Sequence, residues 1–95
     1  MNQKAPKFHE QVYQPEADTY LLLSSVINEI RDNDTVLEVG TGSGIIALGC
    51  SERTRCIATD VNPHACRMTH GMGVEVVRTD LYAGLKGPFD LIIFN

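Results

Sequence analysis

The sequence predicts an α/β fold, a three-layer sandwich whose middle layer is a parallel sheet with strand order 3-2-1-4. Three observations predict it. Apolar segments of strand rhythm and helix rhythm alternate along the chain. A glycine-rich turn, Gly40-Thr41-Gly42-Ser43-Gly44, follows the first strand segment directly, and the fourth strand segment is apolar at four successive positions. Strands alternating with helices imply right-handed crossovers between parallel strands. A run that is apolar at every position suits a strand buried on both faces, inside a sheet and not at its edge.

Residues 1–14 read as a polar lead, and residues 15–95 as one domain. After Pro15, the residues Tyr20, Leu21, Leu22, Leu23, Val26, Ile27 and Ile30 recur at helical spacing and give one apolar face. Asn33 suits the end of that helix, near Asp32. The rhythm then changes: Thr35-Val36-Leu37-Glu38-Val39 is a strand running into the glycine turn. Residues 45–53 resume a helical pattern, with Ile45, Ile46, Leu48 and Gly49 expected on the inner side. Arg55-Cys56-Ile57-Ala58-Thr59-Asp60 is a second strand. Asn62-Pro63 opens the next helix with an N-cap asparagine and a proline at the first helical position, and Gly71 and Gly73 end it. Residues 74–79 form a third strand closed by Asp80; Gly84, Gly87 and Pro88 mark a loop; residues 90–94 form the fourth strand, ending on Asn95.

Composition bounds the function. Apolar residues make up 43% and charged residues 21% of 95, a globular profile. The net charge is −4 and the eight Lys and Arg are scattered, which disfavours nucleic acid and anionic membrane surfaces as partners. No apolar stretch approaches the about 18 residues that span a bilayer, and residues 1–7 lack a signal-peptide core, so a cytoplasmic location is expected. Cys50, Cys56 and Cys66 stand six and ten apart with no CxxC pair, and read as free thiols in a reducing compartment rather than metal ligands. His9, His64, His70 and Tyr82 have no catalytic spacing and read as surface or packing residues.

The glycine turn carries the first functional signal. In open parallel sheets ligands bind beyond the C-terminal ends of the strands. Gly40, Gly42 and Gly44 let the backbone approach a ligand closely, and the following helix offers its first N–H groups to an anionic group such as a carboxylate. The spacing is GxGxG with Ile45 next, not the dinucleotide GxGxxG, and this favours S-adenosylmethionine over NAD or FAD. Asp60 ends the second strand twenty residues after Gly40, where a carboxylate can accept both ribose hydroxyls. As a plain turn or capping residue it would compete with Asn62, the better cap. Asp80 ends the third strand in the equivalent place, where it can accept from an adenine amino group while the Leu81 N–H donates to the ring. Glu38 lies inside the first strand. Buried carboxylates need partners, so it is read either as an acceptor near the ligand's ammonium group, directly or through water, or as half of a structural salt bridge.

Four segments together resemble one family: 36–48 with the glycine turn, Ala58-Thr59-Asp60-Val61-Asn62-Pro63-His64-Ala65, Arg78-Thr79-Asp80-Leu81, and Phe89-Asp90-Leu91-Ile92-Ile93-Phe94-Asn95. They are similar to the class I, Rossmann-like methyltransferases that modify a glutamine amide N5 in translation release factors. The lead Tyr13-Gln14-Pro15-Glu16-Ala17-Asp18-Thr19 looks like that family's Tyr-x-Pro-x-Glu-Asp-Thr, with Ala17 inserted between the acids. There is no room before Tyr13 for the extra helical domain of the bacterial enzymes, so the resemblance points to the compact archaeal and eukaryotic branch. It implies S-adenosylmethionine as cofactor, with Thr19 at its methionine end. It implies that Glu38, Gly40, Thr41, Gly42, Gly44, Asp60, Val61, Asp80 and Leu81 line the site. Asn95 is implied to be the catalytic asparagine of Asn-Pro-Pro-Tyr, holding the substrate amide in line with the methyl group. A small zinc-binding activator protein is implied to dock near strand 74–79, and no metal is expected in the chain itself.

Pro-Pro-Tyr does not follow Asn95 in these 95 residues, so residues 15–95 read as the cofactor half of an incomplete class I methyltransferase fold. The expectation is that this stretch alone does not turn over. Two other readings stay open: an adenine N6-methyltransferase of DNA or RNA, which shares the Asn-Pro-Pro-Tyr motif, and a noncatalytic module whose strand edges serve assembly.

Overall fold

The computed structural model describes residues 16–81 and 83–95; the polar lead 1–14, with Pro15, His9 and Tyr82, lies outside the described residues. The element order is α1 (Ala17–Glu29), β1 (Thr35–Val39), α2 (Ile45–Ser51), β2 (Arg55–Asp60), α3 (Pro63–Gly71), β3 (Glu75–Arg78) and β4 (Leu91–Phe94). The four strands form one parallel sheet in the order β3-β2-β1-β4, as the sequence predicts. Pairing brings Glu38 opposite Ala58 on one side and Ile93 on the other.

The period-2 alternation of β1 divides the interior in two. Val36, Cys56, Ala58 and Ile93 pack under Val26 of α1, Ile30 just beyond that helix, and Ile46, Ala47 and Cys50 of α2. Leu37, Val39 and Ile57 point to the opposite face, where, among the described residues, Leu85 and Phe89 of the β3–β4 connection cover them with Val77. The asymmetry follows from crossover geometry. Two successive right-handed crossovers, β1 to β2 and β2 to β3, step the same way across the sheet and so lay α2 and α3 on the same face. The return from β3 to β4 crosses the other face and carries no described helix. Of the three layers, the described residues therefore supply the sheet, one helical layer and a loop.

Three local expectations are corrected. In α1 the face toward the core is Leu22, Leu23, Val26, Ile27 and Ile30, whereas Tyr20 and Leu21 are exposed. Leu23, Val26, Ile27 and Ile30 are the i, i+3, i+4, i+7 set, and Leu21 falls off that stripe. The helix also ends at Glu29, because Ile30 turns to an extended backbone to insert its side chain into the core. In α2 the inner side is Ile46, Ala47 and Cys50, while Ile45, Leu48 and Gly49 are half-buried. In so short an apolar helix, apolarity does not mark the inner face. β4 ends the described sheet, in the order the sequence predicts, with Ile93 buried but Ile92 and Phe94 exposed. No described helix is long and apolar enough to cross a membrane.

Candidate functional site

The strand-to-helix turn after β1 is held from below by a single carbonyl. The N–H groups of Gly40 and Thr41 both donate to Thr59 O, at 2.9 and 2.8 Å, which pins the turn to the end of β2. The Gly44 N–H closes it on Thr41 O at 3.0 Å, and Gly44 then starts α2 in the left-handed region at φ +83°. A Cβ at Gly44 would lie 2.6 Å from Thr69 Oγ1 and 3.3 Å from Met72 Sδ, so this glycine lets the turn press on α3. A Cβ at Gly40 would lie 2.9 Å from the Asn95 carbonyl oxygen. Gly42, at φ +57°, has nothing within 4 Å of its Cβ position. One glycine of the motif faces open space and two face protein.

Asp60 joins the turn to the next strand. Its Oδ2 accepts from Gly42 N and its Oδ1 from Asn62 N, both at 2.9 Å. It thus makes the turn contact expected of a capping aspartate and, at the same time, holds the glycine loop. Asn62 caps α3 by accepting from His64 N at 2.8 Å. The segment after β3 is tied in by Thr59, whose hydroxyl lies 3.0 Å from Leu81 O and 3.2 Å from Glu38 O. Leu81 itself has φ +53°, a strained conformation for a branched residue, at the C-terminal end of the sheet where ligands bind.

Two adjoining clefts open above these strand ends. One, of about 400 Å³, is lined by Asp18, Thr19, Gly40, Gly42, Ser43, Asp60 and Asn95. The other, of about 260 Å³, is lined by Val39, Gly40, Thr59, Asp60, Val61, Thr79, Asp80, Leu81, Phe94 and Asn95. Gly40, Asp60 and Asn95 border both. The structure thus brings Thr19, Gly40, Gly42, Asp60, Val61, Asp80, Leu81 and Asn95 to one continuous site.

Glu38, Thr41 and Gly44 stand behind the site and reach neither cleft. Glu38 is 0% exposed on the helix face of β1, where its Oε2 accepts from Asn95 Nδ2 at 3.2 Å. Its Oε1 and the buried Thr41 hydroxyl face each other without a closed hydrogen bond. Burial pushes the Glu38 carboxyl up from 4.5 to about 7, against the lowering contributions of Thr41, Asn95 and the Ala47 backbone. Glu38 makes no ion pair among the described residues, so the salt-bridge reading is not met, and it lines neither cleft directly.

Sequence reasoning missed Asp18, Ser43, Thr59, Thr79 and Phe94. Asp18 sits beside Thr19 in the first turn of α1 and accepts from Thr19 N at 3.0 Å, so the position next to a candidate at a helix start was the available signal. Thr19 itself takes a long 3.5 Å bond from Glu16 N, closing that turn. Phe94 was readable as the apolar residue that leads Asn95 off the strand. Thr59 acts through its hydroxyl inside the sheet, which no sequence pattern marks.

A parallel 3-2-1-4 sheet, a glycine turn after β1 and carboxylates ending β2 and β3 around one open site define a class I, Rossmann-like methyltransferase domain. The Mtq2–Trm112 complex of E. cuniculi, described as responsible for methylation of the eRF1 translation termination factor, superposes with a TM-score of 0.77 at 30% identity over 88% of this chain and 51% of that one. No family model matches the chain. A protein of Methanocaldococcus jannaschii carrying the name protein N5-glutamine methyltransferase is 31% identical over 94% of this chain and 48% of its own length. The release factor glutamine methyltransferase of Deinococcus radiodurans is 37% identical over 85% of this chain and 33% of its own. Over most of its own length the chain is similar to these protein-glutamine methyltransferases, and it spans a third to a half of the length of these curated relatives.

Proposed function

We propose that this chain supplies the cofactor site and the substrate-holding asparagine of an S-adenosylmethionine-dependent enzyme that methylates a glutamine side-chain amide in a translation release factor. The observation that carries the reading is the place of Asn95, on the border of both clefts and beside the glycine turn. The names of the relatives supply the substrate class.

The residues present fit the cofactor. Gly42 leaves a space that a Cβ would narrow, and each Asp60 oxygen takes one backbone N–H and keeps acceptor capacity for a ribose hydroxyl. Asp80 and Leu81 in the smaller cleft suit an adenine edge, with Val61 and Phe94 as apolar walls. Thr19, Asp18 and Ser43 in the larger cleft suit the polar methionine end. When bound, S-adenosylmethionine supplies an electrophilic methyl group on a sulfonium. The chain's part is to position: an in-line displacement gains most from holding nucleophile and electrophile in register. An amide nitrogen is a weak nucleophile, and an Asn95 carbonyl oxygen accepting its N–H proton stabilises the positive charge that develops there.

The partner reading rests on β3, the outer strand of the sheet. Beside its free edge runs a groove lined by His70, Gly73, Val74, Glu75 and Val76, with Glu75 bonded to Arg55 at 3.2 Å. A small zinc-binding activator adding a strand at this edge would cover the groove, in the manner of β-augmentation.

The test is a methylation assay with the full-length protein and its activator, offered a Gly-Gly-Gln release-factor peptide and an adenine-containing oligonucleotide. The expected product is methyl on the glutamine amide nitrogen, located by fragmentation mass spectrometry. Methyl on adenine, with the peptide untouched, overturns the reading.

A further inference from the structure

Glu38 is fully buried beneath the glycine turn, and its Oε1 has no hydrogen-bond partner among the described residues. Its neighbours are set by strand register. Glu38 pairs with Ile93, and alternation along β4 brings Asn95, two residues on, to the same face of the sheet as Glu38. The Asn95 backbone is fixed there by donation from its N–H to Val39 O at 3.0 Å. Its side chain then has one buried polar partner among the described residues, Glu38 Oε2, which accepts from Nδ2 at 3.2 Å.

A primary amide is ambiguous in a way that matters for this chemistry. Rotated by half a turn it presents NH₂ where it presented oxygen, with almost the same shape. An ionised carboxylate resolves the ambiguity because it only accepts and so binds only the NH₂ end. With Nδ2 held by Glu38, the carbonyl Oδ1 is the end left for the cleft that Asn95 borders. We propose that Glu38 is a positioning residue, fixing the Asn95 amide so that its oxygen, and not its NH₂, meets the substrate nitrogen. The proposal deepens, and rests on, the reading of Asn95 as the substrate-holding residue.

The surroundings of Glu38 make this orientation depend on pH. Thr41 faces it from the glycine turn, Asn95 from the end of β4 and the Ala47 backbone from α2; Asp60 at the end of β2 adds a like charge, and the thiols of Cys50 on α2 and Cys56 on β2 lie near it. With burial dominating, the carboxyl titrates at about 7. Below that value the protonated acid carries a hydroxyl that can donate to Oδ1, and the oxygen is no longer reserved for the substrate. Turnover is therefore expected to rise as pH climbs through about 7.

The experiment compares the full-length wild-type protein with Glu38→Gln, which keeps shape and removes the charge. Expected are a fall in kcat of about a hundredfold and loss of the pH limb. Wild-type kcat in Glu38→Gln, or a wild-type pH limb in that variant, overturns the proposal. A second readout is independent of substrate: the NMR signals of the Asn95 side-chain NH₂ pair should titrate across neutrality in the wild type and stay flat in Glu38→Gln. Flat signals in the wild type overturn the proposal as well. If the wild type leaves the Gly-Gly-Gln peptide unmethylated while the NH₂ signals titrate, the proposed function fails and the coupling of Glu38 to Asn95 stands.

Discussion

The glycine turn has two sides, and they follow different rules. On the inner side Gly44 meets Thr69 and Met72, Thr41 is buried, and Glu38 lies buried beneath. On the outer side Gly42 and Asp60 face an open cleft, with Thr19 and Asn95 at its borders. One short motif thus serves packing inward and ligand binding outward. A glycine in it reports a close approach, but the motif does not say by what.

The inner side is where the largest effect on stability is expected. Gly44→Ala combines a left-handed backbone with a Cβ that would overlap Thr69 Oγ1, and the cost is about 3 kcal/mol, read as a lower denaturant midpoint. A neutral result would mean that α3 withdraws freely from the turn and that the two sides are not distinct.

Glu38→Gln should move stability the other way. The native carboxyl titrates at about 7 against an ordinary 4.5, so between these values the native state holds more protons than the unfolded chain. Wild-type stability therefore falls as pH rises through that window, by about 3 kcal/mol in total, and is level above it. The amide variant has no charge to desolvate, and is expected to be more stable than wild type by about 2 kcal/mol above pH 7. The gap should close at acid pH. Urea melts across pH check it; a gap that widens toward acid contradicts the assignment.

On the outer side Gly42→Ala should cost the fold little, about 1 kcal/mol for its positive φ, since its Cβ meets nothing. Its effect belongs to the ligand, as weaker S-adenosylmethionine binding measured by calorimetry on a protein that melts nearly as wild type. Equal damage from Gly42→Ala and Gly44→Ala would erase the comparison.

Much of this was legible before the structure. All four strands follow from rhythm and turn chemistry, their order from the usual half-order of doubly wound sheets, and the ends of β1 and β2 were placed to the residue. Asp60, Asp80 and Asn95 end successive strands, and strand ends at one rim of a parallel sheet must converge, so their meeting around one site was implied by sequence order. The roles of Glu38 and Gly44 were not legible, because both depend on what lies across the sheet or on α3, many residues away. The inner face of α2 escaped for a related reason: a seven-residue helix apolar at most positions offers no periodicity, and contact with β1 and β2 selects Ala47 and Cys50. The one-sided helical layer could have been derived, since two crossovers in the same direction share a face.

Asp60 is the residue where the two sides of the turn meet, holding Gly42 N with one oxygen while facing both clefts. The central claim, that these clefts form an S-adenosylmethionine site, is tested most directly by calorimetric titration of that cofactor into the full-length wild type and Asp60→Ala. Binding by the wild type and none measurable in the folded variant is the expected result. Full affinity in Asp60→Ala would contradict it.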